Sequence, residues 1–283
     1  MCIPTRKEIE IRPLHTVDEH RAMEQLQRDV WNLDDVKIIP DHVLITAQKN
    51  GGLVLGAFDG TAEGGERLVG LLFGFVGLAS DGRAKHCSHI VGVAPAYQSR
   101  NLGYRLKLAQ REHVLGQGVD LATWTFDPLE SRNARLNFCK LGATCNTYLR
   151  NLYGSMRNQL DGGLLSDRFQ VDWRVASDHV ARRLRGDGAG TLLAEGISIL
   201  NCALPGDDGL PHPSQKTLPI AGDRFLIQIP PHFQAIKTAD FELARAWRSH
   251  TRVLFEAAFV GGYTVVDLLF EQGRSYYLLD SLF

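Results

Sequence analysis

The residues best suited to chemistry lie in one run, Val91-Gly92-Val93-Ala94-Pro95-Ala96-Tyr97-Gln98-Ser99-Arg100-Asn101-Leu102-Gly103-Tyr104-Arg105. An apolar strand stopped by Pro95 enters a polar turn, and the turn opens a helix. The first N–H groups of a helix have no intrahelical acceptor, and the helix dipole adds positive potential there. A turn of this kind is an anion site suited to a pyrophosphate. Gly103 lets the backbone approach a ligand closely, and Asn101 tolerates positive φ better than most residues with a side chain. Arg100, Arg105 and Lys107 add positive charge around the same turn.

Two groups nearby in sequence could move protons. His89 lies on the strand leading into the turn, is expected to share the side-chain parity of Val91 and Val93, and titrates near neutral pH. Its competing reading is a strand histidine hydrogen-bonded within the fold. Asp127 ends the next apolar strand and could take a proton through a water, but it also reads as a helix N-cap with Pro128 at the first helical position. Cys87 shares the parity of His89, although a buried structural thiol explains it more simply than a nucleophile. His86, Cys87 and His89 lack a fourth ligand at metal-binding spacing, so no metal is expected.

The elements that must position these groups are mixed α/β. Residues 8–12 alternate as an edge strand does. Thr16 and Glu19 form a capping box ahead of a helix over 17–31. Apolar runs at 53–58 and 68–76 predict an antiparallel meander, followed by strand 89–94, helix 103–115 and strand 121–126. A helix opened by Asp127-Pro128 is expected to end at Gly142. Beyond about residue 160, Asp161-Gly162-Gly163, Gly186 to Gly190 and the proline-rich 205–214 stretch punctuate the chain. Strand 225–229, a helix striped by Ile236, Leu243, Trp247, His250 and Leu254, and strands 263–270 and 276–279 follow. Asp167-Arg168-Phe169 to Trp173 fits either a strand carrying an ion pair or the lining of a substrate cleft. Strand, proline, helix and strand recur at 226–270, which suggests either a decayed duplication of 90–126 or a chance recurrence.

Composition bounds the rest. The 283 residues carry 31 Lys and Arg against 32 Asp and Glu, a net charge of -1. No global basic excess is available for phosphate neutralisation, so nucleic acid is not expected as a partner. Five scattered cysteines without a C-x-x-C fit reduced thiols in a cytoplasm. The charged N-terminus lacks the apolar core of a signal peptide. The longest apolar run, Leu68 to Ala79, falls short of the ~20 residues of a membrane helix.

The run at 91–105 resembles motif A of the GNAT N-acyltransferase superfamily: a strand, Val-x-Pro, then Gln-x-x-Gly-x-Gly/Ala and a helix. Here the loop is Gln98-x-x-Asn101-x-Gly103, with asparagine at the first glycine. The capped helix and the strands at 53–58 and 68–76 fall in the superfamily's order. Asn133 with Phe138-Cys139-Lys140-Leu141-Gly142 resembles its Asn…Tyr-x-x-x-Gly stretch. The resemblance spans roughly residues 8–155.

It implies a mostly antiparallel twisted sheet flanked by helices in a domain over 1–165. A C-terminal α/β domain over 166–283, either a degenerate half of the same kind or unrelated, is then expected to help build the acceptor pocket. It also implies acetyl-CoA or another acyl-CoA as co-substrate and a small-molecule amine as acceptor. Val91 and Val93 would pair with the pantetheine arm, and the amides of Gln98, Ser99, Arg100, Asn101, Leu102, Gly103 and Tyr104 would hold the pyrophosphate. Asn133 would reach the cofactor from the next helix. Phe138 stands where the superfamily often has a tyrosine acid, leaving Tyr153 and Tyr104 as candidate donors. The alternative function is a non-catalytic CoA-binding module.

Overall fold

The computed structural model describes residues 9–32, 35–62, 65–154, 164–187, 196–214 and 216–283. Cys2, Glu8, Asp161-Gly162-Gly163 and Gly188-Ala189-Gly190, all singled out from sequence, lie outside them. The chain forms two compact units, Met1–Thr123 and Trp124–Phe283. The division therefore falls earlier than the 165/166 boundary expected from sequence.

In the first unit β1 (Glu10–Pro13), β2 (Leu53–Asp59), β3 (Arg67–Leu78) and β4 (Ala84–Val93) pair antiparallel in that order. β5 (Leu121–Phe126), which runs on into the second unit, pairs with β4 in parallel at His86↔Ala122 and Cys87↔Thr123. Three helices flank these strands: α1 (Val17–Trp31), α2 (Asp41–Lys49) and α3 (Leu102–Gly116). α3 covers one face, where Leu106 approaches Gly70, and α1 covers the other, where Val30 and Trp31 approach Gly92. Met23, Leu44, Val54, Leu71, Leu72 and Leu106 are fully buried in this core. α2 was not expected from sequence. Its N-cap position is Pro40, which makes no side-chain cap bond, so no capping signature announces it.

α1 begins as its sequence requires. The Thr16 side chain accepts from Glu19 N–H while Glu19 accepts from Thr16 N–H at 3.1 Å. Partial burial opposes ionisation of Glu19, but hydrogen bonds from Arg12 and from the His15 and Thr16 amides outweigh it and hold the pKa at about 2. A folded pKa below the ordinary 4.5 means that the stabilisation is complete above pH 4.5 and is lost as pH falls toward 2. Thr16→Ala is expected to cost about 1 kcal/mol of stability, measured by urea unfolding at pH 7.

The second unit carries strands in the order β7 (Arg168–Arg174), β6 (Thr144–Leu149), β12 (Thr264–Glu271), β13 (Arg274–Asp280), β11 (Arg224–Ile229) and β8 (Ser198–Ile199). All are antiparallel neighbours except β11 and β8. β6 pairs with β12 at Val265↔Cys145, which ties residues after 123 to the C-terminal strands and explains the early division. β13 separates β11 from β12, whereas β4 and β5 are direct neighbours. The two stretches of the faint repeat thus differ in topology. The 205–214 stretch contains a small hairpin, β9 (Leu204–Pro205) with β10 (Pro211–His212).

Several helices depart from expectation. The helix expected from Asp127-Pro128 starts only at α4 (Ser131–Ala134) and passes into a π turn over Arg135–Lys140. α5 (Asp178–Leu184), capped by Ser177, was not anticipated. The stripe from Ile236 to Leu254 is split into α6 (Phe233–Ala239) and α7 (Phe241–Val260), because extended Asp240 ends one and caps the other through Leu243 N–H. Trp247 is core, as expected, with its indole N–H donated to the Pro211 carbonyl. Phe169, Phe255, Tyr277 and Phe138 form an aromatic centre, with Phe169 and Phe255 4.7 Å apart edge to face. Among the described residues no helix is long and apolar enough to cross a membrane.

Candidate functional site

The 94–101 turn is held from below. Asp59, at the end of β2, accepts from Thr61 N–H and hydroxyl on one oxygen and from the Tyr97 hydroxyl on the other, at 2.8 Å. The Arg100 guanidinium stacks on the Tyr97 ring at 4.8 Å. Gln98 turns its amide back to the Val93 carbonyl. Ser99 and Asn101 both occupy the left-handed region, at φ 63 and 62. Asparagine suits that conformation and serine less so, which makes Ser99 a locally strained point of the turn.

The first intrahelical bond of α3 runs from Arg105 N–H to the Asn101 carbonyl. Leu102 and Gly103 precede it, among the amides that a helix start leaves without an intrahelical acceptor. A Cβ built on Gly103 meets no protein atom within 4 Å. Glycine in a helix costs about 1 kcal/mol relative to alanine. Nothing in the chain's own packing explains this glycine, and the space beside it is open.

The three cations expected at the turn are not all there. Arg100 is. Arg105 instead donates to the Ile9 carbonyl at 2.7 Å and secures the start of β1. Lys107 is buried on the strand side of α3, bonded to Ser88 and Gln110.

His89 sits at a β-bulge. Ile90 pairs with Phe73 and Ser88 with Gly74, so His89 is the extra residue. The bulge breaks the parity expected from sequence. His89 lies with Phe73 and Phe75, at ring separations of 5.8 and 6.1 Å, on the face away from α3. Val91 and Val93, which pair with Leu72 and Gly70, point to the α3 face. The residue keeps exposed surface, and partial desolvation of the imidazole lowers its pKa below the ordinary value. It is therefore largely neutral at pH 7, the form that accepts a proton.

The residues expected from the second unit are placed as follows. Asp127 takes a two-point contact from Arg248, at 2.8 and 2.5 Å, and caps Leu129 N–H at 2.9 Å. With Arg168 3.8 Å away as well, its carboxylate is engaged by two cations and a turn. Asp167 pairs with Arg252 and Tyr148, and Arg168 starts β7, so this segment is a strand with ion pairs, and its Asp172 also lines a cavity with Thr144 and Asn146. Tyr153 is exposed, its hydroxyl 2.9 Å from that of Thr125. Asn133 is exposed on α4, whereas Asn137, four residues on, is buried, because the π turn alters the helical spacing. Phe138 is core, packed against Phe126 and Tyr277. Among the described residues no group of His, Cys, Asp and Glu could hold a metal.

No family model and no curated protein matches the chain. Solved structures similar to parts of it include the ribosomal-protein-S18-alanine N-acetyltransferase from Escherichia coli, 17% identical, with a TM-score of 0.44 over 59% of this chain and 94% of that one. Another is an acetyltransferase of the GNAT family from Streptococcus pneumoniae, 16% identical, TM-score 0.46, covering 58% and 98%. A third is Arabidopsis thaliana NAA60 in complex with acetyl-CoA, 15% identical, TM-score 0.47, covering 59% and 99%.

Proposed function

We propose that the chain transfers an acyl group from acyl-CoA to a primary amine of a small molecule. The observation that carries the reading is Gly103: an unpacked glycine in the first turn of α3, beside Arg100 and behind a turn anchored by Asp59 and Tyr97. The amides from Gln98 to Tyr104 hold the pyrophosphate in this reading, and Val91 and Val93 pair with the pantetheine arm. A backbone N–H of β4 polarises the thioester carbonyl. Neutral His89 takes a proton from the ammonium, because an amine must lose it before attack. The free amine adds to the thioester carbon, the C–S bond breaks, and the thiolate leaves. Asn133 contacts the cofactor in this reading, as the motif resemblance implies, and Tyr153 stands in for the tyrosine that Phe138 replaces, as the acid that protonates the thiolate.

Thiol release measured over a library of amines tests the reaction directly. His89→Gln is expected to lower kcat by roughly 10²–10⁴-fold without weakening CoA binding. Because His89 must be neutral, wild-type kcat/KM should fall on an acid limb below pH 6.5, and that limb should vanish in the variant. An unchanged limb would remove His89 from the mechanism. Phe138 in the core, with no proton to give, favours a second reading, a CoA-binding module without turnover. Tight CoA binding with silence across amino acids, polyamines, aminoglycosides and peptides would select it.

A further inference from the structure

A buried polar lock lies beneath the bulge, and no step of the proposed reaction uses it. Lys107 is 3% exposed, and its Nζ donates to Ser88 Oγ at 2.8 Å and to Gln110 Oε1 at 3.1 Å. The Gln110 amide nitrogen lies 2.9 Å from His86 Nε2. The His86 ring, itself fully buried, lies over Gly74, where a Cβ would come within 2.2 Å of Nε2. Its Nδ1 has no hydrogen-bond partner. Burial and the nearby His113 and Lys107 hold the His86 pKa at about 4, so this ring is neutral.

These contacts bear on register. Side chains alternate along a strand, so a regular β4 with Val91 and Val93 on the α3 face would place His89 and Cys87 there too. Ser88 and His86 would then face away. The bulge inserts one residue and reverses this: Ser88 and His86 reach α3, and His89 goes to the opposite face with Phe73 and Phe75. Buried polar groups short of partners are costly, and in the bulged register Lys107 gains the Ser88 hydroxyl and Gln110 gains the His86 ring beside their bond to one another. Gly74 supplies the room, and the α3 side chains supply the reason.

We infer that Lys107 and Gln110, acting through Ser88 and His86, are positioning residues that fix the β4 bulge and so present His89 on the face away from α3. The inference rests on the proposed reaction only for the use to which His89 is put. The register device itself is independent of it.

The test is NMR on the full chain with labelled histidine and phenylalanine rings. In the wild type, His89 should show contacts to the Phe73 and Phe75 rings. Lys107→Met should abolish them and speed amide exchange at Ser88, His89 and Ile90 at least tenfold. Ser88→Ala removes the acceptor with a smaller change and should show the same pattern if Lys107→Met does not fold. A folded variant with unchanged ring contacts and exchange would overturn the inference, because loss of general stability alone does not move His89 to the other face. CoA titration of the wild type runs alongside. Failure there would overturn the assigned reaction while the NMR readout still decides the lock.

Discussion

Gly103→Val is expected to abolish acyl-CoA binding while the protein stays folded, and Gly103→Ala should weaken binding while making the protein more stable. The two effects have opposite signs because their causes are separate. A Cβ at residue 103 meets no protein atom within 4 Å, so alanine does not clash with the fold, and valine extends by two methyl groups from that open position. In an exposed helix, alanine in place of glycine gains up to about 1 kcal/mol through a less disordered unfolded chain. A pyrophosphate bonded to the amides at the start of α3 would have to occupy the same space as the added methyl groups. Titration calorimetry with acetyl-CoA and CoA should give a Kd at least about 100-fold weaker for valine, equivalent to ~2.7 kcal/mol. Thermal unfolding should show the alanine variant melting higher. Undiminished binding by the valine variant would place the cofactor elsewhere or remove it.

The second large effect is on stability. Asp127→Ala should cost about 3–5 kcal/mol, since it leaves the Arg248 guanidinium, 2% exposed, without the carboxylate that contacts it at two points. Asp127→Asn should cost less, because its side-chain oxygen can still accept from Leu129 N–H. Adding Arg248→Met to Asp127→Ala should recover part of the loss by removing the stranded charge, and the size of the recovery measures the coupling of the pair. Urea unfolding supplies all three numbers. A change of under about 0.5 kcal/mol for Asp127→Ala would mean that Arg248 finds another partner, for which the Asp167 carboxylate, whose charge already favours the guanidinium, is the candidate.

Local signals carried most of the elements that were legible in sequence. The Thr16–Glu19 capping box, the apolar runs of β2 and β3 and the turn into α3 each depend on residues a few positions apart, and each is where the pattern places it. Positive φ at Asn101 was legible for the same reason. What escaped depends on distant partners. α2 has no side-chain cap, and β4 starts five residues earlier than its apolar run, because the polar Lys85 to Ser88 segment is paired with β3 and turns His86 and Ser88 to α3. Sequence alone places His89 with Val91 and Val93. Only Lys107 and Gln110, some twenty residues on, reveal the bulge. Asp127 has the look of a cap in either setting. That it also answers Arg248 could not be read across 121 residues.

The π turn at Arg135–Lys140 has a consequence for how this region could vary. One residue beyond α-helical count is held there by Leu141 N–H on the Leu136 carbonyl, and in it Asn137 is buried beside Phe138. A π turn generally behaves as a one-residue insertion absorbed by a helix. Deleting a single residue between 135 and 137 should therefore be tolerated as a change to ordinary helix, whereas inserting one should not. Its product would be a segment rotated by about 100° from that point, with Asn137 carried out to water. Length changes in this segment thus have a preferred direction.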